Sequence, residues 1–240
     1  MDVQLEKTKY SNAIGQLDNQ VVISDSPIPP TSFVWLICGK RGSGKTSVVF
    51  SLLDKKWRNK YDSIWLVSQT ARNDSHSKEV LRDLIDELSS ERKFFEDINE
   101  QVADEIINRI QEMNDSGEGK LRHLLILDDC ISSIPKNKLN SKINRFFINN
   151  RHYKLDTIVV TQKYNALSTL LRQNATIISM FANKNRKDIN GIIDDLDIEP
   201  QLFKELYHFA VEDSPNHFLH INLLGQEPIF YKRFDKIILS

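Results

Sequence analysis

Residues 33–46 read FVWLICGKRGSGKT. Positions 33–38 form an unbroken apolar run, the pattern of a strand buried on both faces. The next eight residues, GKRGSGKT at 39–46, fit G-x-x-x-x-G-K-[ST] at every fixed position. The overlapping segment KTSVVFSLLDKKW at 45–57 suits a helix. Strand, glycine-rich turn and helix in this order make a phosphate-binding loop. Gly42 and Gly44 open backbone conformations closed to residues with side chains, so successive N–H groups can face phosphate oxygens. The helix N-terminus adds its partial positive charge. Gly39, Lys40, Arg41, Gly42, Ser43, Gly44, Lys45, Thr46 and Ser47 are expected to surround the phosphates of ATP. Lys45 should reach the β- and γ-phosphates and Thr46 should ligate Mg²⁺.

Working outward, SIWLVS at 63–68 reads as a second buried strand. LRHLLILDD at 121–129 is a third, DTIVVTQ at 156–162 a fourth and ATIISMF at 175–181 a fifth. Amphipathic periodicity predicts helices over 76–88 and 98–113, and 138–150 also looks helical. Residues 186–210 read as two short helices split near DIEP, and 216–224 with 227–234 as a closing hairpin. Alternation of strands and helices predicts an α/β fold with an open, mostly parallel sheet and helices on both faces. Residues 1–30, ending in SPIPP, are expected to be an N-terminal extension. Residues 31–240 are expected to be one domain, with 186–240 as its C-terminal part.

The 240 residues are 40% hydrophobic and 27% charged, ordinary for a globular chain. No apolar run approaches the ~20 residues of a membrane span. The opening MDVQLEKTKYSN lacks the apolar segment of a secretory signal. Cys38 and Cys130 are far apart and form no CxxC pair, which argues against a disulfide framework or zinc site and for a reducing compartment. The net charge of −1 hides segregation. Residues 31–60 and 136–163 each hold seven Lys/Arg and one acid, while 73–118 hold fourteen acids and five bases. Such segregation gives either solvated helix faces or a basic face for an anion.

LLILDDC at 124–130 supplies the second half of the site. Asp128, at the tip of a buried strand, can hold Mg²⁺, directly or through water. Asp129, one residue on, can polarise a water for attack on the γ-phosphate. It is a shorter base than the Glu common in such ATPases. The strand 156–162 ends in Gln162, an uncharged amide. At a strand tip facing the phosphate loop it can hydrogen-bond the attacking water or the γ-phosphate without repelling either. Taken alone, it could equally be a polar strand end in water.

GKRGSGKT, LLILDD and RHYKLDTIVVTQKYNALSTLLRQNAT (151–176), in this order, resemble the genome-packaging ATPases of large eukaryotic DNA viruses, poxviruses and virophages among them. These belong to the FtsK–HerA superfamily of P-loop DNA pumps. The resemblance covers about residues 30–185, and 150–176 is its discriminating part. It implies a three-layer P-loop NTPase with an additional strand, the Gln162 strand, between the P-loop and Walker B strands. It also implies Gln162 as γ-phosphate sensor and Arg151 as a finger inserted into a neighbouring subunit's site, with Arg172 as the second candidate. The implied activity is ATP-driven movement of double-stranded DNA into a capsid by a homo-oligomeric ring. A capsid vertex or portal-like component would be a partner. The setting would be the cytoplasmic virus factory of an infected cell, or the virion. Lys136, Lys138 and Lys142 are candidates to meet DNA phosphates.

Rival readings are weaker. A GTPase switch would carry N-K-x-D, but FANKNRKD at 181–188 puts Arg186 where the Asp belongs. A small-molecule kinase would carry an arginine-rich lid. A terminase would need a nuclease domain for which the remaining residues are too few. A nucleotide-binding assembly scaffold without turnover sits poorly with intact Lys45, Thr46, Asp128 and Gln162.

Overall fold

A computed structural model describes residues 26–30, 32–53, 57, 59–71, 78–117, 121–134, 140–183 and 185–238. The strands are β1 Val34–Cys38, β2 Ser63–Ser68, β3 Phe94–Phe95, β4 His123–Asp128, β5 Leu155–Thr161, β6 Ile177–Phe181, β7 Phe218–Asn222, β8 Ile229–Lys232 and β9 Asp235–Lys236. The helices are α1 Lys45–Leu52, α2 Lys78–Ser90, α3 Glu100–Ser116, α4 Arg145–Ile148, α5 Thr169–Gln173, α6 Arg186–Leu196 and α7 Pro200–Val211. The strands form one sheet in the order β3-β2-β4-β5-β1-β6-β7-β8-β9. Pairing is parallel from β3 to β6 and antiparallel from β6 onward. β5 therefore lies between the phosphate-loop strand and the Asp128 strand, the added-strand order expected.

Every residue of β1, β2, β4, β5 and β6 is buried. Alternate side chains feed two separate cores, as the two-residue strand period requires. Trp35, Ile37, Leu66, Ile126 and Ile158 pack with Val49 and Phe50 of α1 and Ile85 and Leu88 of α2. Leu36, Val67, Leu127 and Val159 pack with Ile106 and Ile110 of α3, Phe146 of α4, Ile192 of α6 and Phe203 of α7. The result is three layers. Each fully buried large apolar side chain stabilises it by about 1.5–3 kcal/mol. Among the described residues no helix is long and apolar enough to cross a membrane.

Two buried polar knots fix this sheet. At the amino end of β5, fully buried Asp156 accepts from Arg122 Nε at 2.9 Å, Tyr61 Oη at 2.5 Å and Phe33 N at 3.2 Å. That ties the starts of β1, β4 and β5 to one carboxylate. On the other side of β1, Trp35 Nε1 donates to Ser179 Oγ at 2.9 Å, and Ser179 Oγ lies 2.8 Å from His220 Nδ1. His220 Nε2 lies 2.6 Å from the Pro27 carbonyl, which can only accept, so Nε2 carries the proton and Nδ1 accepts from Ser179. Asn222 Nδ2 donates to Ser26 O at 2.9 Å. The end of the expected N-terminal extension is thus stitched to β7; residues 1–25 lie outside the described residues.

Two local expectations differ. The segment 138–150 is not the single helix its pattern suggests. Its described part is a 3-10 turn at Lys142–Asn144 followed by the short α4. Ser141 Oγ accepts from Ile143 N at 3.2 Å and starts a new turn there. β3 has no signal in the sequence, because two phenylalanines between charged residues carry no period.

Candidate active site

The parallel register aligns three strand ends. Cys38 pairs with Thr161, and Asp128 with Val160. The ladder runs one residue further, with Gly39 N donating to Thr161 O at 3.2 Å and Asp129 N to Val160 O at 3.1 Å. Gly39, Asp129 and Gln162 therefore leave the sheet side by side. Gly42 and Gly44 have φ of 73° and 89°, the left-handed conformations that turn N–H groups inward. Gly39 is required for a different reason. A Cβ there would lie 2.5 Å from Phe181 Cβ.

Lys45 Nζ donates to Lys40 O at 2.9 Å across the loop. Burial pushes its pKa down, opposed by the nearby Asp129 and Asp128 charges. The Ser43 hydroxyl is buried within the loop and has no hydrogen-bond partner among the described residues. Thr46 Oγ1 donates to Asp128 Oδ1 at 3.3 Å, and Ser68 Oγ to Asp128 Oδ2 at 3.2 Å. Burial raises the Asp128 pKa to about 6, with the Asp129 charge adding to the rise and the bonds from Ser68 and Thr46 opposing it. Asp129 has φ of 56°, a left-handed turn that aims its carboxylate across the strand ends. Gln162 Nε2 lies 3.2 Å from Asp129 Oδ2 and 3.5 Å from Oδ1. The residues read from sequence as loop, metal carboxylate, base and sensor thus converge.

The two arginines stand elsewhere. Arg151 is exposed on the turn before β5, at the opposite end of a seven-residue strand from Gln162. At ~3.3 Å per residue that is on the order of 20 Å away. Arg172 is engaged within the chain. Its Nη1 lies 2.6 Å from Asp195 Oδ2 and its guanidinium sits 5.3 Å over the Tyr164 ring. Lys142 pairs with Asp104 at 2.6 Å, and Lys136 and Lys138 lie outside the described residues.

Sequence reading missed three contributors. Ser68 holds Asp128, and its signal was a strand ending in a polar residue in register with that aspartate. Asn216 comes from the loop before β7, its Oδ1 3.3 Å from where a Gly44 Cβ would stand; nothing local to residue 216 announces that. Asp188, in the stretch read against the guanine motif, is buried and accepts from Asn183 Nδ2 at 3.1 Å and Asn185 Nδ2 at 2.8 Å. Those asparagines are committed to the protein.

The Poxvirus A32 protein family matches residues 27–212, well over half of the chain. A curated relative, the uncharacterized protein 015R of Frog virus 3 (isolate Goorha), is 25% identical over 155 residues, which are 62% of this chain and 44% of that protein. The chain thus spans less than half of that relative's length. The genome packaging NTPase B204 from Sulfolobus turreted icosahedral virus 2, solved in complex with AMP, superposes with a TM-score of 0.60 at 20% identity. That match covers 88% of this chain and all (100%) of B204. The DNA-packaging ATPase B204 of Sulfolobus turreted icosahedral virus gives a TM-score of 0.61 at 16% identity, over 85% of this chain and 98% of that one. At these identities the structural likeness carries the fold, a P-loop NTPase sheet, and the family match carries kinship. The chain belongs to the Poxvirus A32 protein family.

Proposed function

We propose that the chain is an ATP-driven motor that moves double-stranded DNA into a preformed capsid. It would hydrolyse Mg-ATP at the subunit interfaces of a homo-oligomeric ring. The observation that carries this reading is the Gln162–Asp129 contact at the ends of adjacent strands, beside a complete phosphate loop. A kinase or a passive nucleotide-binding scaffold has no use for a sensor amide held against a base.

The residues fit a magnesium ion accompanying the triphosphate. Thr46 and Asp128 bring a hydroxyl and a carboxylate oxygen within 3.3 Å of each other, hard oxygen donors suited to that cation. A bound magnesium would neutralise charge on the β- and γ-phosphate oxygens. The phosphate loop's N–H groups and Lys45 would bind the phosphates, with Lys45 exchanging the Lys40 carbonyl for phosphate oxygens. Asp129 would accept the proton of the attacking water, and Gln162 would orient that water or the γ-phosphate. Arg151 stands too far away to serve its own site, which favours a role in a neighbour's. Charge stabilisation by such a finger is worth ~10³–10⁵ in rate. Arg172 would have to leave Asp195 to do the same, so Arg151 is the stronger candidate. DNA would be held mainly through phosphates, without strong sequence preference. The capsid vertex is the proposed docking partner and the virus factory or virion the proposed setting.

The test is DNA-stimulated ATP hydrolysis with mass measurement. Turnover should rise on adding double-stranded DNA of any sequence and fall with salt, and nucleotide should favour a ring. Lys45→Ala should lose nucleotide binding. Arg151→Ala and Asp129→Asn should each be inactive yet recover activity when mixed. A monomer that hydrolyses ATP at full rate, indifferent to DNA, would overturn the proposal.

A further inference from the structure

Three residues of α6, Asp188, Gly191 and Asp195, are spaced three and four apart and so line one face of that helix. All three meet the segment after Gln162. Asn165 N donates to Asp188 Oδ1 at 3.1 Å, and Asn165 Nδ2 to Lys187 O at 2.5 Å. Tyr164 Oη donates to Asp195 Oδ2 at 2.8 Å, beside the Arg172 ion pair. Between these anchors stands Gly191. A Cβ there would lie 2.3 Å from Asn165 Oδ1 and 3.0 Å from its Cγ.

We infer that this stripe is a positioning platform for Gln162, holding the segment after β5 so that the sensor amide faces Asp129. The inference rests on Gln162 being the γ-phosphate sensor of the proposed motor. Glycine inside a helix is less favourable than alanine, so the helix gives up stability at the one turn where Asn165 is seated. Asn165 is three residues after Gln162, and Tyr164 between them is fully buried. A methyl at Gly191 would displace the Asn165 amide from the Lys187 carbonyl and so loosen one anchor of the segment that follows Gln162. Asp188 also accepts from Asn183 and Asn185, so one buried carboxylate ties the loop after β5 to the loop after β6. Asn183 and Asn185 thereby support the carboxylate that anchors Asn165. Gln162 remains the group that meets the reacting atoms; Asp188 and Gly191 act through it.

The experiment compares wild type, Gly191→Ala, Asp188→Asn and the double variant Gly191→Ala/Asn165→Ala. Three quantities are read: affinity for a non-hydrolysable ATP analogue, kcat, and the side-chain amide resonance of Gln162 without nucleotide, assigned by its loss in Gln162→Ala. Gly191→Ala should lower kcat about tenfold or more with affinity within about twofold, and should move the Gln162 resonance. Asp188→Asn should act in the same direction. Trimming Asn165 in the double variant should restore part of kcat. An unmoved resonance in both single variants, or equal losses of affinity, turnover and melting temperature, would overturn the platform. If the wild type hydrolyses no ATP, the motor reading fails while the Gln162 resonance still decides the platform.

Discussion

Replacing Gly39 by alanine adds one methyl group at a defined place. The new Cβ would stand 2.5 Å from Phe181 Cβ and 3.0 Å from Ser43 Oγ. Carbon atoms rest at about 3.5–4.0 Å, so relief requires a movement of roughly 1 Å. Phe181 Cβ cannot swing aside. It is fixed to β6, which is paired with β1 on one side and β7 on the other. Overpacking of this kind costs about 1–3 kcal/mol. In a chain of this size each kcal/mol lowers Tm by about 2–4 °C, so the variant should melt about 2–12 °C below wild type. Gly42→Ala is the control. Nothing lies within 4 Å of its Cβ, but its φ is +73°, where an alanine costs about 1–2 kcal/mol. Both variants should therefore melt below wild type, one through a clash and the other through backbone strain, while Gly42→Ala also loses nucleotide affinity through the loop itself. Thermal unfolding by circular dichroism without nucleotide reads the difference. A Gly39→Ala protein melting within a degree of wild type would refute the steric account.

Thr46→Val keeps the shape of the first turn of α1 and removes the hydroxyl donated to Asp128. Hydrolysis should then need more Mg²⁺, and a metal titration that superposes on wild type would contradict the metal role; chelating the metal from wild type should stop turnover. Burial lowers the His220 pKa from 6.5 to about 4. The unfolded chain therefore binds the proton first as pH falls. His220's contribution is complete above pH ~6.5 and is lost as pH drops toward ~4, at up to about 1.4 kcal/mol per pH unit and about 3 kcal/mol in all. His123, also lowered to about 4 by burial, acts in the same direction. Asp128 and Asp156, both raised to about 6 by burial, bind protons first in the folded state and oppose this loss below pH ~6, so the readout is the difference between proteins. From pH ~7 to ~4 the urea midpoint of wild type should drop relative to that of His220→Phe, and parallel profiles would show that His220 is not a titrating group.

How legible the molecule was depended on the range of the interactions. The five parallel strands of the site could be read because burial on both faces leaves continuous apolar runs such as SIWLVS and LLIL. The phosphate loop was legible because its backbone demands glycine at fixed offsets. The strand order followed from the resemblance carried by 151–176. No local pattern puts β5 between β1 and β4, and the long-range knot at Asp156 helps to fix it. Arg172 shows the limit. Its sequence neighbours suggest an exposed helix end, and only the fold brings Asp195, 23 residues later, against it. Asp188 and Asn216 were hidden for the same reason, each acting on a segment remote in the chain, whereas Ser68 was visible only as a polar strand end.

The Gln162–Asp129 contact has a thermodynamic consequence for the proposed cycle. A sensor whose amide N–H is already held by an anionic acceptor gains less from a triphosphate than a free one would, because that N–H trades one anionic acceptor for another. Each such bond is worth about 1.5–3 kcal/mol, and their difference is smaller than either. Discrimination between ATP and ADP through this residue is therefore shallow and easily reversed. Once the γ-phosphate departs, the amide has Asp129 to return to. The spent site and the empty site then share one arrangement, and rearming the motor adds no conformational step of its own.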